Sequence, residues 1–370
     1  MHILHLYKDY FPVLGGIENH IRVLAEAQAA AGHSVTVLVC DPSRHTRHEV
    51  LNGVRIIKAG RLTTRASMPV SLAQPWELWQ QRPDILHVHS PYPLGEISGW
   101  LLRRGAATVI THHSDVVRQR GWLRLYAPLL RRVLCAADRI IATSPRYIET
   151  SPWLRPVAHK CTVVPLGVDV RQFTPLHKQE KNGLHLLFVG RLRYYKGLDT
   201  LLRALVQLPD AELTIVGDGP MRAPWEMLTR SLRLDPKVHF VGDVPDAELP
   251  EWYRRGDVFV LPANARAEAF GTVLLEAMAS GLPCVTTEVG TGTSWIVQHG
   301  ITGLVVPPND IQALVTALKQ LQQDATLRRA LGQAGRVRVE QSFTVERMIQ
   351  GVETVYQEAL AQTVRRSKSR

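Results

Sequence analysis

Leu184-His185-Leu186-Leu187-Phe188-Val189 runs directly into Gly190-Arg191-Leu192-Arg193-Tyr194-Tyr195-Lys196-Gly197. The first six residues are apolar almost throughout, the pattern of a strand buried on both faces rather than a half-exposed one. The glycine-bounded turn that follows carries two cations, Arg191 and Lys196, away from the carboxyl end of that strand. Open parallel α/β sheets bind their ligands at this end. Arginine holds phosphate oxygens in pairs and lysine meets them as a point charge. Two surface cations on an ordinary turn are the plainer reading of the same residues.

Downstream, further apolar runs follow at 212–216 (ELTIV), 237–241 (KVHFV), 257–261 (DVFVL), 283–287 (PCVTT) and 303–306 (GLVV). Upstream lies an earlier series: 2–6, 34–40, 54–58, 84–89, 107–111, 139–143 and 161–164. Helical patterns separate the runs, beginning with an amphipathic stretch at 17–31 that Gly32 closes. Strands of this kind spaced by helices indicate an α/β chain with two doubly wound parallel sheets. The boundary is placed in the polar, proline-containing stretch 165–183, which gives domains 1–170 and 171–343. After Pro308 the chain reads as helix at 309–322, 325–340 and 344–361, then as an unstructured basic tail, RRSKSR.

A length of 370 residues fits two cores, and 45% hydrophobic with 21% charged residues is a globular composition. No apolar run approaches the ~18–20 residues that cross a bilayer, and the N-terminus lacks the features of a secretory signal. Cys40, Cys135, Cys161 and Cys284 form no CxxC pair, against a disulfide scaffold, a structural zinc site or a thioredoxin-type centre. A soluble, cytoplasmic protein is expected. The net charge is +11, and residues 1–180 hold 22 basic against 13 acidic side chains, a surplus of nine. One domain therefore has the charge to meet something anionic: nucleic acid, lipid headgroups or phosphorylated ligands.

The strongest local signal is Glu268-Ala269-Phe270-Gly271-Thr272-Val273-Leu274-Leu275-Glu276. If Gly271 opens a helix, Glu268 lies in the preceding loop and Glu276 more than a turn inside. The unpaired N–H groups at such an N-terminus suit a phosphate, and a carboxylate beside them accepts from paired hydroxyls. A solvated glutamate and a capping glutamate would leave the same pattern. Gly15-Gly16 lies between the first strand and a helix, where backbone can approach a phosphate, but it is not the GxGxxG of a dinucleotide site. His87 and His89 are read as facing opposite sides of one strand and so unable to share an ion. Thr111-His112-His113-Ser114-Asp115 has no third ligand at metal spacing, so no metal is expected.

Taken in order, Gly15-Gly16-Ile17-Glu18, the segment DILHVH, 165–169, 190–197, VGDGP at 216–220 and 268–276 resemble the GT-B glycosyltransferases of family GT4 over roughly residues 1–350. The resemblance implies two Rossmann-like domains facing a cleft, with the helix at about 344–361 crossing back onto the N-terminal one. It implies a retaining, metal-independent transfer from a nucleotide diphosphate sugar, with no cofactor. By motif, Arg191 and Lys196 would neutralise the diphosphate, Glu276 would accept from the ribose and Glu268 would contact the transferred sugar. Phe270, Gly271 and Thr272 would supply backbone at the phosphates and sugar. Gly16, with Gly15, would close from the other side, and His113 would reach the sugar, with His112 one register away. Val244 and Asp246 are expected beside the base.

Where many members carry a GGxxE-like turn, this chain has Val289-Gly290-Thr291-Gly292-Thr293-Ser294-Trp295. That version resembles bacterial mannosyl- and rhamnosyltransferases of polysaccharide assembly and points to GDP-mannose as donor and a glycan or lipid-linked acceptor. The stretch from Val116 to Cys135 (VVRQRGWLRLYAPLLRRVLC) mixes arginines with aromatic and aliphatic residues. It suits the headgroup layer of an anionic membrane, hence a peripheral place at the inner membrane face, or else an ordinary amphipathic helix packed on its sheet. Two other functions are compatible with parts of the sequence. A non-enzymatic nucleic-acid-binding protein would explain the charge but leaves Glu268 and Glu276 without a role and lacks any nucleic-acid-binding signature. A nucleotide-sugar epimerase or hydrolase would keep the fold and change the reaction.

Overall fold

The computed structural model describes residues 1–13, 15–65, 68–115, 120–176 and 183–368, without the side chains of 65, 120–125 and 366–368. The chain divides into two compact units, one made of Met1–Pro165 with Glu346–Arg370 and the other of Leu166–Val345.

The first unit is built on β1 (His2–Leu6), β2 (Ser34–Cys40), β3 (Arg47–Leu51) and β4 (Val54–Ala59). A short β5–β6 hairpin (Thr63–Arg65 and Met68–Val70) stands apart, and β7 (Ile85–Ser90), β8 (Ala107–His112), β9 (Arg139–Ala142) and β10 (Cys161–Val163) complete the sheet. Their order is β10-β9-β8-β7-β1-β2-β4-β3, parallel except for the β3 edge. Every residue of β7 and β8 is buried, as expected of strands covered on both faces. The order reverses between β1 and β7, the switch point where such sheets open a crevice. The sequence reading omits β3 and the hairpin. Arg47–Leu51 is solvent-exposed over four of its five residues, so it has no apolar pattern to announce it.

The C-terminal helix Val345–Lys368 belongs to this unit. It buries Met348, Val352, Val355, Tyr356 and Ala359, and Glu358 pairs with Arg139 on β9 at 2.8 Å. Gly351 lets it close on Val164, since a Cβ there would lie 3.0 Å from a Val164 methyl. The helix runs on through Lys368, so most of the basic tail continues it instead of being unstructured.

The second unit orders its six parallel strands β13-β12-β11-β14-β15-β16. They are β11 (Leu184–Val189), β12 (Ala211–Val216), β13 (Val238–Gly242), β14 (Val258–Leu261), β15 (Cys284–Thr287) and β16 (Gly303–Val306). The switch point falls between β11 and β14. The ends of this unit meet: Val168 N–H donates to the Phe343 carbonyl at 2.9 Å, and a side chain on Gly167 would strike the backbone of Thr344. The chain thus enters and leaves the unit at one place, which is what lets the last helix return to the first. Asp310 and Asp324 cap the helices Ile311–Gln323 and Ala325–Ser342 through their side chains.

Candidate active site

Both loops at the β11/β14 switch point are fixed backbone to backbone. Gly190 leaves β11 at φ +133°, and a Cβ on it would come 3.2 Å from Lys196 Nζ. Gly197 turns at φ +68°, with its missing Cβ only 2.0 Å from the Pro262 carbonyl oxygen, so this approach of the two loops requires glycine. Asn264 N–H donates to the Tyr195 carbonyl at 2.9 Å, and Leu192 N–H to Asp218 at 2.9 Å. The result is to seat Lys196 inside the unit next to the loop that follows β14.

There Lys196 Nζ stands 2.8 Å from Glu268 Oε2, each side chain only 9% exposed. Glu268 Oε2 has no aligned hydrogen-bond donor, so the contact is a charge pair that leaves a lone pair open. Burial pulls the ammonium's pKa down, but Glu268, Tyr195 and Glu276 outweigh it and hold the pKa above its usual value. Glu276 shows the reverse balance. Its burial raises the carboxyl, a hydrogen bond from Tyr253 and the charge of Lys196 lower it, Asp246 raises it, and the net shift is upward. The Tyr253 hydroxyl donates to Glu276 Oε2 at 2.7 Å. Lys196, Glu268, Glu276 and Asp246 are therefore one electrostatically coupled set, although they come from four separate loops and helices.

The helix Thr272–Ala279 begins at Gly271, which adopts φ +85° and offers no side-chain cap, unlike the aspartate-capped helices behind it. Its first N–H groups are left for an anion. Phe270 is buried. The segment after β15 braces this loop from below. Thr291 Oγ1 donates to the Glu268 carbonyl at 2.7 Å, Gly292 N–H to the Ala269 carbonyl at 2.9 Å, and a Cβ at Gly292 would strike the Phe270 ring. Arg191 is exposed and has no ion pair among the described residues, so its charge is available. Val244 packs against the core of the unit, and the Asp246 carbonyl accepts from Gln172 at 3.3 Å. Tyr253 and Thr291 were not legible as site residues. Tyr253 stands in no motif, Thr291 lies in the turn 289–295 but its bracing contact is not written there, and each acts on a residue 23 positions away.

In the first unit, Gly15 precedes the helix Gly16–Ala30, and a Cβ on it would collide with the Glu18 carboxylate. At Gly16 a Cβ would meet nothing within 4 Å. His112 ends β8 with both ring nitrogens engaged, Nε2 to Asp115 at 3.0 Å and Nδ1 to Ser90 at 3.3 Å. His113 is joined instead to a run of histidines.

This run corrects the reading of His87 and His89. Residues two apart on a strand share a face, and their rings stack with centroids 4.3 Å apart. His5 on β1 pairs in register with His87 on β7 and adds a third ring on that face. Gln28 Oε1 lies 2.8 Å from His5 Nε2, His5 Nδ1 3.0 Å from His89 Nε2, and His89 Nδ1 3.0 Å from His113 Nε2. Gln28 also donates to the Tyr356 hydroxyl, which lies 2.7 Å from His87 Nδ1, while His87 Nε2 meets Thr111 Oγ1 at 2.6 Å. Burial drives His5 to about 4 and His20 to about 3, and holds His87, His89 and His113 well below 6.5. All five are neutral near pH 7, and the neutral ladder has a direction. The Gln28 carbonyl can only accept, so His5 carries its proton on Nε2, His89 on Nε2 and His113 on Nε2. His113 Nδ1 is left with a lone pair and no partner among the described residues.

Of the stretch 116–135, residues 116–119 and the side chains of 120–125 lie outside the described part. From there the helix Arg120–Ala136 buries Leu130, Val133 and Leu134 and exposes Arg131 and Arg132. No helix among the described residues is long and apolar enough to cross a membrane.

A family model described as "Glycosyl transferases group 1" matches residues 172–338, and one described as "Glycosyltransferase Family 4" matches residues 14–172. The chain is 35% identical to the O-antigen chain mannosyltransferase C of Escherichia coli, over 96% of its own length and 98% of the relative's. It is 36% identical to the D-rhamnosyltransferase WbpZ of Pseudomonas aeruginosa, over 93% and 92%. Sucrose-phosphate synthase from Thermosynechococcus elongatus matches its structure with a TM-score of 0.83 and 25% identity, over 98% of this chain and 99% of that one. HepE from Anabaena, solved with UDP and glucose, matches at a TM-score of 0.76 over 96% and 99%, and at 18% identity it speaks for the fold alone.

Proposed function

The chain belongs to the family 4 glycosyltransferases of the GT-B fold, and from that premise we propose a nucleoside diphosphate sugar as its donor, with the diphosphate bound at the β11/β14 switch point. The transferred group is a hexose, mannose from GDP-mannose first, and the acceptor is a glycan or lipid-linked glycan. Relatives named for mannosyl and rhamnosyl transfer support that choice. The observation that carries the reading is the buried Lys196–Glu268 pair beside an uncapped helix N-terminus, with Glu276 one turn further in.

Without a metal at the diphosphate, the developing charge of the leaving group falls on Lys196, on Arg191 and on the N–H groups around Gly271 and Thr272. Preorganised donors of this kind are usually the largest catalytic contribution. Glu276 accepts from the ribose hydroxyls, Val244 and Asp246 flank the base, and Glu268 turns its open lone pair to the sugar. His113 contacts the sugar through Nδ1, a role for which His112, with both nitrogens taken, is less suited. Gly15 and Gly16 let backbone approach the donor. Transfer proceeds with retention on one face: the bond from the anomeric carbon to the phosphate oxygen breaks, the bond to the acceptor oxygen forms, and the acceptor proton passes to the leaving phosphate. Trapping a covalent sugar–enzyme adduct on a slow substrate would overturn that mechanism. The protein works in the cytoplasm, with the face that bears Arg131 and Arg132 against an anionic inner membrane. Loss of liposome association when these arginines are removed is the expected result.

The decisive experiment compares thermal shifts with GDP, UDP, ADP and dTDP in the natural protein and in Glu276→Gln. A nucleotide at ~100 Kd stabilises its unit by ~2.7 kcal/mol. A GDP-selective shift that Glu276→Gln loses is expected. A UDP-selective shift would keep the enzyme class and discard mannose, and no shift with any nucleotide would remove the site assignment.

A further inference from the structure

His20 is the one member of the histidine group that the ladder leaves out. It projects from the helix Gly16–Ala30, is 8% exposed, and both of its ring nitrogens are enclosed without a hydrogen-bond partner. A buried polar group left unmet costs ~1–3 kcal/mol, so such a group asks for a ligand. Its ring stands edge-on to His113 and His89, at centroid distances of 5.1 and 5.8 Å. One nitrogen from each of His20, His89 and His113 falls within 4.8 Å of the others.

We propose that His20, His89 and His113 form a binding site for a divalent transition-metal cation of the class that favours imidazole, such as zinc or cobalt. The donor set selects that class. Three imidazoles and no carboxylate suit these ions, whereas magnesium and calcium take oxygen ligands. Tetrahedral ligands at ~2.0–2.1 Å from zinc stand about 3.3–3.4 Å apart. The His89 Nδ1 to His113 Nε2 separation is already 3.0 Å, and His20 has only to close on that pair.

The tautomers are arranged for it. His89 presents a bare Nδ1 because its Nε2–H is committed to His5, which in turn is committed to the Gln28 carbonyl. This is the outer-shell support that fixes ligating histidines. His113 needs only to move its proton from Nε2 to Nδ1, so three neutral ligands are assembled with no net proton release. A second histidine group, His5, His87 and His89, has similar spacing but is already satisfied, since both His87 nitrogens are held by hydroxyls and both His5 nitrogens by the ladder. Metal at His20 breaks one hydrogen bond, and metal at the other group would break several. Three protein ligands leave a fourth position open, and the uncompensated charge of the ion suits water or an anion there.

The site draws its three ligands from the first unit; it shares His113 with the proposed sugar contact, through the other ring nitrogen, and shares no residue with the proposed nucleotide contacts. The test uses the full chain freed of metal by chelation and titrated with cobalt(II). Binding of one equivalent with the intense visible absorption of four-coordinate cobalt is expected. His20→Ala should weaken it by ~100-fold or more, Gln28→Leu by ~10–100-fold as an outer-shell change, and the exposed His45→Ala not at all. Histidine-selective nitrogen NMR supplies a readout separate from affinity: zinc should convert His113 from the Nε2–H to the Nδ1–H form. If His20→Ala does not fold, that NMR conversion on the natural protein and the Gln28→Leu titration decide the matter. Absence of four-coordinate cobalt, or undiminished binding in a folded His20→Ala protein, would overturn the proposal and leave water as the partner of His20. Nucleotide thermal shifts on the same samples report on the donor site separately.

Discussion

Lys196 and Glu268 are each other's main electrostatic partners inside the second unit, so removing either strands a buried charge. Breaking such a pair from one side costs ~3–5 kcal/mol. Lys196→Met should destabilise this unit by that order, seen as a lowered melting temperature, and abolish the nucleotide-dependent thermal shift. Glu268→Gln keeps a polar group beside the ammonium, so it should cost less stability and keep the shift, while turnover falls. If both variants lost nucleotide binding equally, Glu268 would belong to the diphosphate rather than the sugar. Tyr253→Phe removes the hydrogen bond that lowers the Glu276 carboxyl and should weaken nucleotide binding. A hydrogen bond to a charged group contributes ~1.5–3 kcal/mol, an upper bound on that loss, and titration calorimetry reads it directly. Lys196, Glu268 and Glu276 were legible because each stands at a fixed offset from a strand end or helix start. Tyr253 was not, since nothing local distinguishes it from its neighbours in Leu249–Arg255. The pairing of His87 with His89 was misread through an error of period, and the other members come from β1, from the residue after β8 and from the helix Gly16–Ala30, which sequence spacing alone cannot bring together.

At the scale of elements, two glycines separate packing from function. Gly197→Ala would drive a Cβ into the Pro262 carbonyl at a left-handed φ, so loss of stability well beyond ~1 kcal/mol is expected, together with loss of the Lys196 placement. Gly16→Ala meets no atom and lies at the start of a helix, where alanine is the better helix former by ~0.5–1 kcal/mol. It should leave the melting temperature unchanged or raised. A fall in turnover with that intact fold would assign Gly16 to ligand approach, and unchanged turnover would return it to the class of ordinary turn glycines. The buried parallel strands were readable because burial on both faces writes an unbroken apolar run, and the helices after Pro308 because their period is strong. The exposed edge strand β3 carries RHEVL, whose side chains need satisfy only solvent. Its place depends on pairing with β4, which no local pattern encodes.

Across the whole molecule, the two units answer acid in opposite senses. His5 and His20 keep folded-state values near 4 and 3 against an ordinary 6.5, so between those limits the unfolded chain binds protons that the folded first unit does not. Their contribution to stability is complete above about 6.5 and is lost as pH falls toward 4 and then 3, on the order of 3 kcal/mol for His5 alone. In the second unit the enclosed Glu276 has a raised value, so its contribution is present in acid and fades as pH rises through the folded value. Acidification from pH 7 to 5 should therefore loosen the first unit while sparing the second. Hydrogen exchange corrected for intrinsic rates would show this as protection lost from peptides of residues 1–165 and from the C-terminal helix, whose Tyr356 anchors on the ladder. Peptides of 184–345 should keep theirs. Equal loss in both units would mean that acid opens the chain as a whole and not through the buried histidines of the first unit. Loss in 1–165 with the C-terminal helix still protected would mean that the helix holds to its unit without the His87–Tyr356 contact.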